Sequence, residues 1–349
     1  MIKKNFSRSI RVKAAMRQIS LLIVVMYSLS PQFANGQERK LEPFVVAYSS
    51  VTANRAPLWI ARDSGLFEKY GLDVKFITIA AGNVVLSALL TGDVHLITGA
   101  GPQVVAAVAQ GAPITIVSTN GGSLFQLVAR PSIKTLQDLR GKVVGSSRIG
   151  AGTDFVLRRI LDKIGLVPGK DVSLIATGLS ESEKRILIML QGKLDATLGE
   201  PDKVFQLMEM RGEKMTVLGD LRDFGIPVPG SEFVATKDFL KDHRGRLKNF
   251  LMAYSEAISL GRRNRELVYQ AFKKYMRIED AKLLDFTYKV QFLQSIPAKP
   301  YPREDAVQAA IEDLTPTIPK LKDMKVTDFI DAGVMREIEN DGFFTRIQK

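Results

Sequence analysis

Ala56-Pro57-Leu58-Trp59-Ile60-Ala61-Arg62-Asp63-Ser64-Gly65-Leu66-Phe67-Glu68-Lys69-Tyr70-Gly71-Leu72-Asp73-Val74 is the stretch on which the reading of the fold turns. It reads as a helix, a glycine break, a short turn and a strand. Pro57 suits a first helical position, where its missing N–H costs nothing. Asn54, three residues before Pro57, is placed to satisfy free amides at that helix start. Gly65 and Gly71 stand where a left-handed residue ends a turn. Ahead of the helix lies a polar loop, residues 49–54, which follows an apolar run, Phe44-Val45-Val46-Ala47-Tyr48, that reads as a buried strand. Strand, loop, helix and strand in that order put the loop at the carboxyl end of a strand, where ligands of α/β proteins bind.

Working outward, the same alternation continues. The spacing predicts a strand over 74–79, a helix over 84–90, a strand over 94–98, a helix opened by Pro102 and a strand over 114–119. Such alternation implies an open, mainly parallel α/β sheet. Glycine or a small polar residue stands directly before a helix at Asn54, at Gly82-Asn83 and at Gly101. Free amides and the positive end of a helix dipole make such places anion sites. One alone is ordinary turn chemistry; three in succession point to a site. Asn120-Gly121-Gly122-Ser123 reads as a crossing to a second sheet, its glycines permitting the rotations of a hinge, and 223–230 reads as the return. Between the crossings, Met189-Leu190-Gln191-Gly192-Lys193-Leu194 echoes Leu89-Leu90-Thr91-Gly92-Asp93-Val94. Beyond Lys237 the helical period dominates, with helices expected over 266–276, 279–293 and 303–314.

Ala56-Pro57-Leu58-Trp59, Ala61, Gly65-Leu66-Phe67, Lys69 and Gly71-Leu72-Asp73-Val74 together resemble the opening signature of the periplasmic substrate-binding proteins that serve ABC importers of the nitrate, sulfonate and taurine type, the NMT1/SsuA-like group. The resemblance runs on through 133–142, Phe329-Ile330-Asp331 and Phe343-Phe344, and so spans 44–343. It implies an α/β, two-lobed periplasmic-binding-protein fold: a type II-like clamshell in which each lobe is a mainly parallel sheet flanked by helices, with a helical C-terminal segment. Lobe I would take in 40–120 and 231–349, and lobe II 121–230. It implies a solute-binding component of an ABC importer, holding a small anionic organic molecule or an oxyanion between the lobes. The expected partners are that small molecule and a permease of the inner membrane, with the binding protein itself a monomer. An enzyme on the same scaffold, related to thiamine-pyrimidine synthesis, and a periplasmic ligand-sensing module are the alternatives. The enzyme group carries a cysteine-rich motif that this chain lacks. The family also places Asp three residues after the glycine that ends a helix; Asp195 keeps that pattern and His95 departs from it. His95 reads as a ligand contact or pH-sensitive switch, or else as a histidine hydrogen-bonded within the sheet.

Composition narrows the function classes. The net charge of +12 at first suggests nucleic acid, but Lys3, Lys4, Arg8, Arg11, Lys13 and Arg17 supply six of those charges from the first 36 residues, which hold no acid. The remaining 43 basic and 37 acidic residues are mixed in sign, and no Lys/Arg run with interleaved aromatics stands out, which argues against a nucleic-acid surface. The basic start, an 11-residue apolar run over 19–29 and Ala34-Asn35-Gly36 read as a signal peptide over 1–36, cleaved before Gln37. With no cysteine, the chain has no disulfide, no thiolate metal site and no lipid-bearing cysteine. The expected location is therefore the periplasm, without an anchor.

The expected crevice residues are Ser49, Ser50 and Asn54 from the first loop, Asn83 and Gly101 from the next two, and Arg148, Thr153 and Glu200 from the second lobe. Arg148 pairs with an anionic group or sits on the surface. Glu200 suits a ligand with a donor or amine, or caps a neighbouring amide. Thr153 or Gly152 is expected to cap the following helix. No catalytic residue, metal site or cofactor is expected: no Ser-His-Asp arrangement is visible, and the two histidines lack metal spacing.

Overall fold

The computed structural model describes residues 40–79, 82–122, 124–227 and 231–348. The expected signal peptide, Ser123 of the first crossing and residues 228–230 of the return lie outside the described residues.

The strands in chain order are β1 (Glu42–Tyr48), β2 (Leu72–Thr78), β3 (Leu96–Thr98), β4 (Ile114–Thr119), β5 (Gln126–Ala129), β6 (Val143–Ser146), β7 (Ser173–Ala176), β8 (Ala196–Gly199), β9 (Thr216–Asp220) and β10 (Glu232–Thr236). They form two five-stranded sheets, ordered β2-β1-β3-β10-β4 and β7-β6-β8-β5-β9. In the first, β1 runs parallel to β2 and β3, and β10 lies antiparallel between β3 and β4. In the second, β6 runs parallel to β7 and β8, and β5 lies antiparallel between β8 and β9. The expected mainly parallel sheets are present, each with one reversed strand. That strand is the one brought in by a crossing: residues 120–125 carry the chain from β4 into β5, and 221–231 carry it from β9 into β10.

Residue pattern explains this layering. Along β1, Phe44, Val46 and Tyr48 enter one apolar cluster, while Ala47 and Val45 face another. Burial on both faces is what a sheet with helices on either side requires. The helix Ala56–Asp63 buries Leu58, Trp59 and Ile60 in the first cluster, against the 20-residue helix Arg244–Arg263. There the Phe250 ring stacks on Phe44 at 4.9 Å, and Trp59 stacks on Tyr275 at 4.9 Å. The second sheet has two clusters as well, around Val144 with Phe155 on one face and Val128 with Ile186 on the other.

The C-terminal helices differ in detail from expectation. Arg265–Ala271 passes into a π-helical turn, Phe272–Met276, and Ala281–Thr287 passes into another, Tyr288–Leu293. The helical period of the side chains hides such a change of winding. No helix among the described residues is long and apolar enough to cross a membrane.

Candidate functional site

The loops at the carboxyl ends of the strands border one cleft of about 440 Å³. All eight expected residues line it: Ser49, Ser50, Asn54, Asn83 and Gly101 from the first sheet's loops, and Arg148, Thr153 and Glu200 from the second's. The parallel strands account for this convergence, because strands that run the same way deliver their following loops to the same edge.

The roles within that lining differ from those expected. Asn54 caps no amide: its Nδ2 donates to Ser231 Oγ at 3.1 Å, and its Oδ1 accepts from Thr52 Oγ1 at 2.6 Å. The turn Ala53–Arg55 begins after Thr52 with no side-chain cap. Thr153 is likewise not the cap of its helix. The helix Gly152–Lys163 has Ala151 at its N-cap and no capping side chain. Thr153 Oγ1 instead accepts from Ser147 N at 2.9 Å and lies 2.7 Å from Ser147 Oγ, which ties the loop to the helix it precedes. Gly101, with φ of 63°, opens the helix Pro102–Ala109, also without a side-chain cap. Ser49 Oγ donates to Gly99 O at 2.9 Å. Arg148 is exposed at the rim. The helix starts after Gly101 and Ala151 thus border the cleft without a capping side chain.

One cleft residue absent from the expectation is Arg55, only 2% exposed. Its Nη1 donates to Thr98 Oγ1 at 3.3 Å. The groups around Asn120 fix that amide with its oxygen accepting from Arg55 Nη1 and its nitrogen donating to Asn54 O at 3.2 Å. Arg55 Nε has no partner among the described residues. Burial pushes the guanidinium down to about 10, with Tyr254, Tyr48 and Glu232 opposing that shift, so it stays charged at neutral pH. Gly99, at φ +95°, is bare for a reason: a Cβ there would stand 2.2 Å from Ser49 Oγ and 3.1 Å from Arg55 Nη2. The sequence signal was an arginine directly before Ala56-Pro57-Leu58, a run of buried positions.

The second sheet supplies acid. Glu200 is half-buried at the carboxyl end of β8, and its side chain caps no amide of the helix Pro201–Phe205. Burial raises its pKa, and nearby Arg185 opposes the rise. Arg185 itself is fully buried, its Nη1 donating to Leu179 O and Ser180 O at 2.9 and 2.7 Å and its Nη2 to Leu198 O at 3.1 Å. Burial also raises the pKa of Asp202, whose Oδ1 accepts from Gln291 Nε2 at 3.2 Å. Gln291, another lining residue, stands on the π-helical turn near the C-terminus, where the sequence offers no signal.

His95 does not line the cleft. It is the histidine hydrogen-bonded within the sheet: Val45 N donates to its Nδ1 at 2.8 Å, and its own N donates to Val45 O at 2.9 Å. Among the described residues no cluster of His, Cys, Asp or Glu has the arrangement to hold a metal ion.

The model of the family described as NMT1/THI5 like matches residues 52–264. The chain is 28% identical over 269 residues to a Haemophilus influenzae protein named for thiamine biosynthesis, a match that covers 76% of this chain and 81% of that one. Its fold is like that of the periplasmic nitrate-binding protein NrtA from Synechocystis PCC 6803, with a TM-score of 0.70, 16% identity and coverage of 86% of this chain and 89% of that one. It is also like the periplasmic aliphatic sulphonate binding protein SsuA from Escherichia coli, with a TM-score of 0.65, 22% identity and coverage of 84% and 99%. The architecture is therefore the periplasmic-binding-protein fold.

Proposed function

The chain belongs to the NMT1/THI5-like family, and from that premise we propose that it is the solute-binding component of an ABC importer. It takes a small organic molecule with an anionic group between two lobes, residues 40–120 with 231–349 and residues 121–230, and delivers it to an inner-membrane permease. The lobes close by rotation about the two crossings, driven by ligand contacts to both sides. The protein works as a monomer in the periplasm after loss of residues 1–36, and it leaves its solute chemically unchanged. The observation that carries this reading is the set of uncapped helix starts at Gly101 and Ala151, which border one cleft from loops of different sheets.

Native mass spectrometry of freshly purified protein tests for a retained small molecule. A thermal-shift panel is the cheaper measurement: a solute at 100 times its Kd stabilises the fold by about 2.7 kcal/mol. A second reading, an enzyme of thiamine-pyrimidine synthesis, draws support from the name of the Haemophilus influenzae relative. Against it stands the absence of any cysteine in the sequence. Turnover of a candidate solute during incubation would favour that enzyme; recovery of the solute intact favours binding and transport.

A further inference from the structure

Three ionisable side chains border the cleft: Arg55 from the first sheet, and Glu200 with the exposed Arg148 from the second. Arg55, from the turn after β1, is 98% buried by its 2% exposure, and its Nε has no partner among the described residues. A guanidinium offers five N–H donors in a fixed fork, and a buried donor without an acceptor costs stability until something fills the place. The start of the helix Pro102–Ala109, which has no capping side chain, adds the Gln103 amide and a partial positive charge on the same side. On the other side, Glu200 stands at the end of β8 with a carboxyl that caps nothing on the helix that follows. Its neighbour Asp202 is already occupied by the Gln291 amide at 3.2 Å. Leu124, Phe125 and Ile149 add apolar side chains to the cleft lining.

Starting from the solute-binding reading above, we propose that the solute is dipolar. It is an organic molecule with an anionic group at one end, held by Arg55 and the helix start after Gly101, and a protonated or N–H-bearing nitrogen at the other, held by Glu200. A simple anion would offer the Glu200 carboxylate no donor, and a simple cation would offer no acceptor to the buried Arg55 Nε. A cleft of about 440 Å³ lies in the range of pockets for small organic molecules and is far larger than a bare inorganic oxyanion needs.

The test is a thermal-shift screen of the purified protein, followed by calorimetry on the hits. The library holds small molecules in four classes: anionic, cationic, dipolar and uncharged. Dipolar compounds are expected to give the hits. For the tightest of them, an analogue that lacks the nitrogen should bind about ten- to a hundredfold more weakly to the unaltered protein. To Glu200→Gln, the hit and that analogue should bind alike. An analogue that lacks the anionic group should show the same pattern with Arg55→Gln. Should that variant fail to fold, Arg55→Lys, which keeps the charge and loses the fork, should still weaken the hit about tenfold. If purely anionic compounds bind as tightly as dipolar ones, or if Glu200→Gln still discriminates the nitrogen, the proposal falls while the solute-binding reading stands. If no class shifts the melting temperature at millimolar concentration, both fall together.

Discussion

His95 and Asp195 stand 100 positions apart and do the same work with different chemistry. Asp195 Oδ2 accepts from Val143 N at 2.9 Å while Asp195 N donates to Val143 O at 2.8 Å. His95 makes both bonds to Val45, with Nδ1 in place of the carboxylate oxygen. An accepting Nδ1 requires the neutral ring. Burial lowers the His95 pKa, and the charges of Arg246 and His243 lower it further. The unfolded chain takes up this proton near pH 6.5, above the point where the folded chain does. The stability His95 contributes is therefore complete above about pH 6.5 and is lost as pH falls through its lowered folded value. Denaturant titrations between pH 5 and 8 should show the unaltered protein losing stability on acidification relative to His95→Asn, which keeps an acceptor and cannot titrate.

Single positions were legible where composition or spacing is unusual and illegible where only packing decides. His95 was conspicuous because it broke a spacing, although nothing in the chain named Val45 as its partner. Arg55 has no such mark, because sequence alone does not separate a buried guanidinium from an exposed one. In the structure both Arg55 and Arg148 line the cleft, Arg55 buried and Arg148 exposed.

Among the elements, the helix Gly152–Lys163 is the most informative. Ala151 has the extended backbone of an N-cap, φ −80° and ψ 165°, yet alanine is among the poorest residues there. The helix thus forgoes a capping bond and leaves its first amides for another acceptor. Ala151→Asp should cap them. The expected outcome is a gain of about 1 kcal/mol in unfolding free energy together with a loss of at least about tenfold in affinity for an anionic solute, from competition and like-charge repulsion. Calorimetry and chemical denaturation of the same preparation read both changes. If the variant gains stability and keeps its affinity, the amides at this helix start do not hold the solute. Most strands and helices were visible from apolar period and from Pro and Gly punctuation. The π-helical turns were not, because winding by one extra residue leaves the buried stripe of residues such as Tyr288 and Phe292 in place.

At the scale of the whole molecule, the paired order of the two sheets was the part the sequence only hinted at. The echo between 89–94 and 189–194 falls on the joints that lead into β3 and β8, which occupy matching places in the two sheets. The exchange of β5 and β10 is foreshadowed by glycine at the first crossing and proline at the return, but pairing partners far apart in the sequence leave no local trace. β10 sits between β3 and β4, so the first sheet has a gap until residues 232–236 arrive. A chain ending at residue 220 should therefore fail to protect the amides of β3 and β4, while the β6, β7 and β8 ladder, complete by then, retains slow exchange. Hydrogen exchange on that truncated chain reads the difference.

The interleaved strands carry a consequence for biogenesis. The first sheet, begun by the earliest strands, cannot close until about two thirds of the chain has left the ribosome, whereas the second can form while the first still waits.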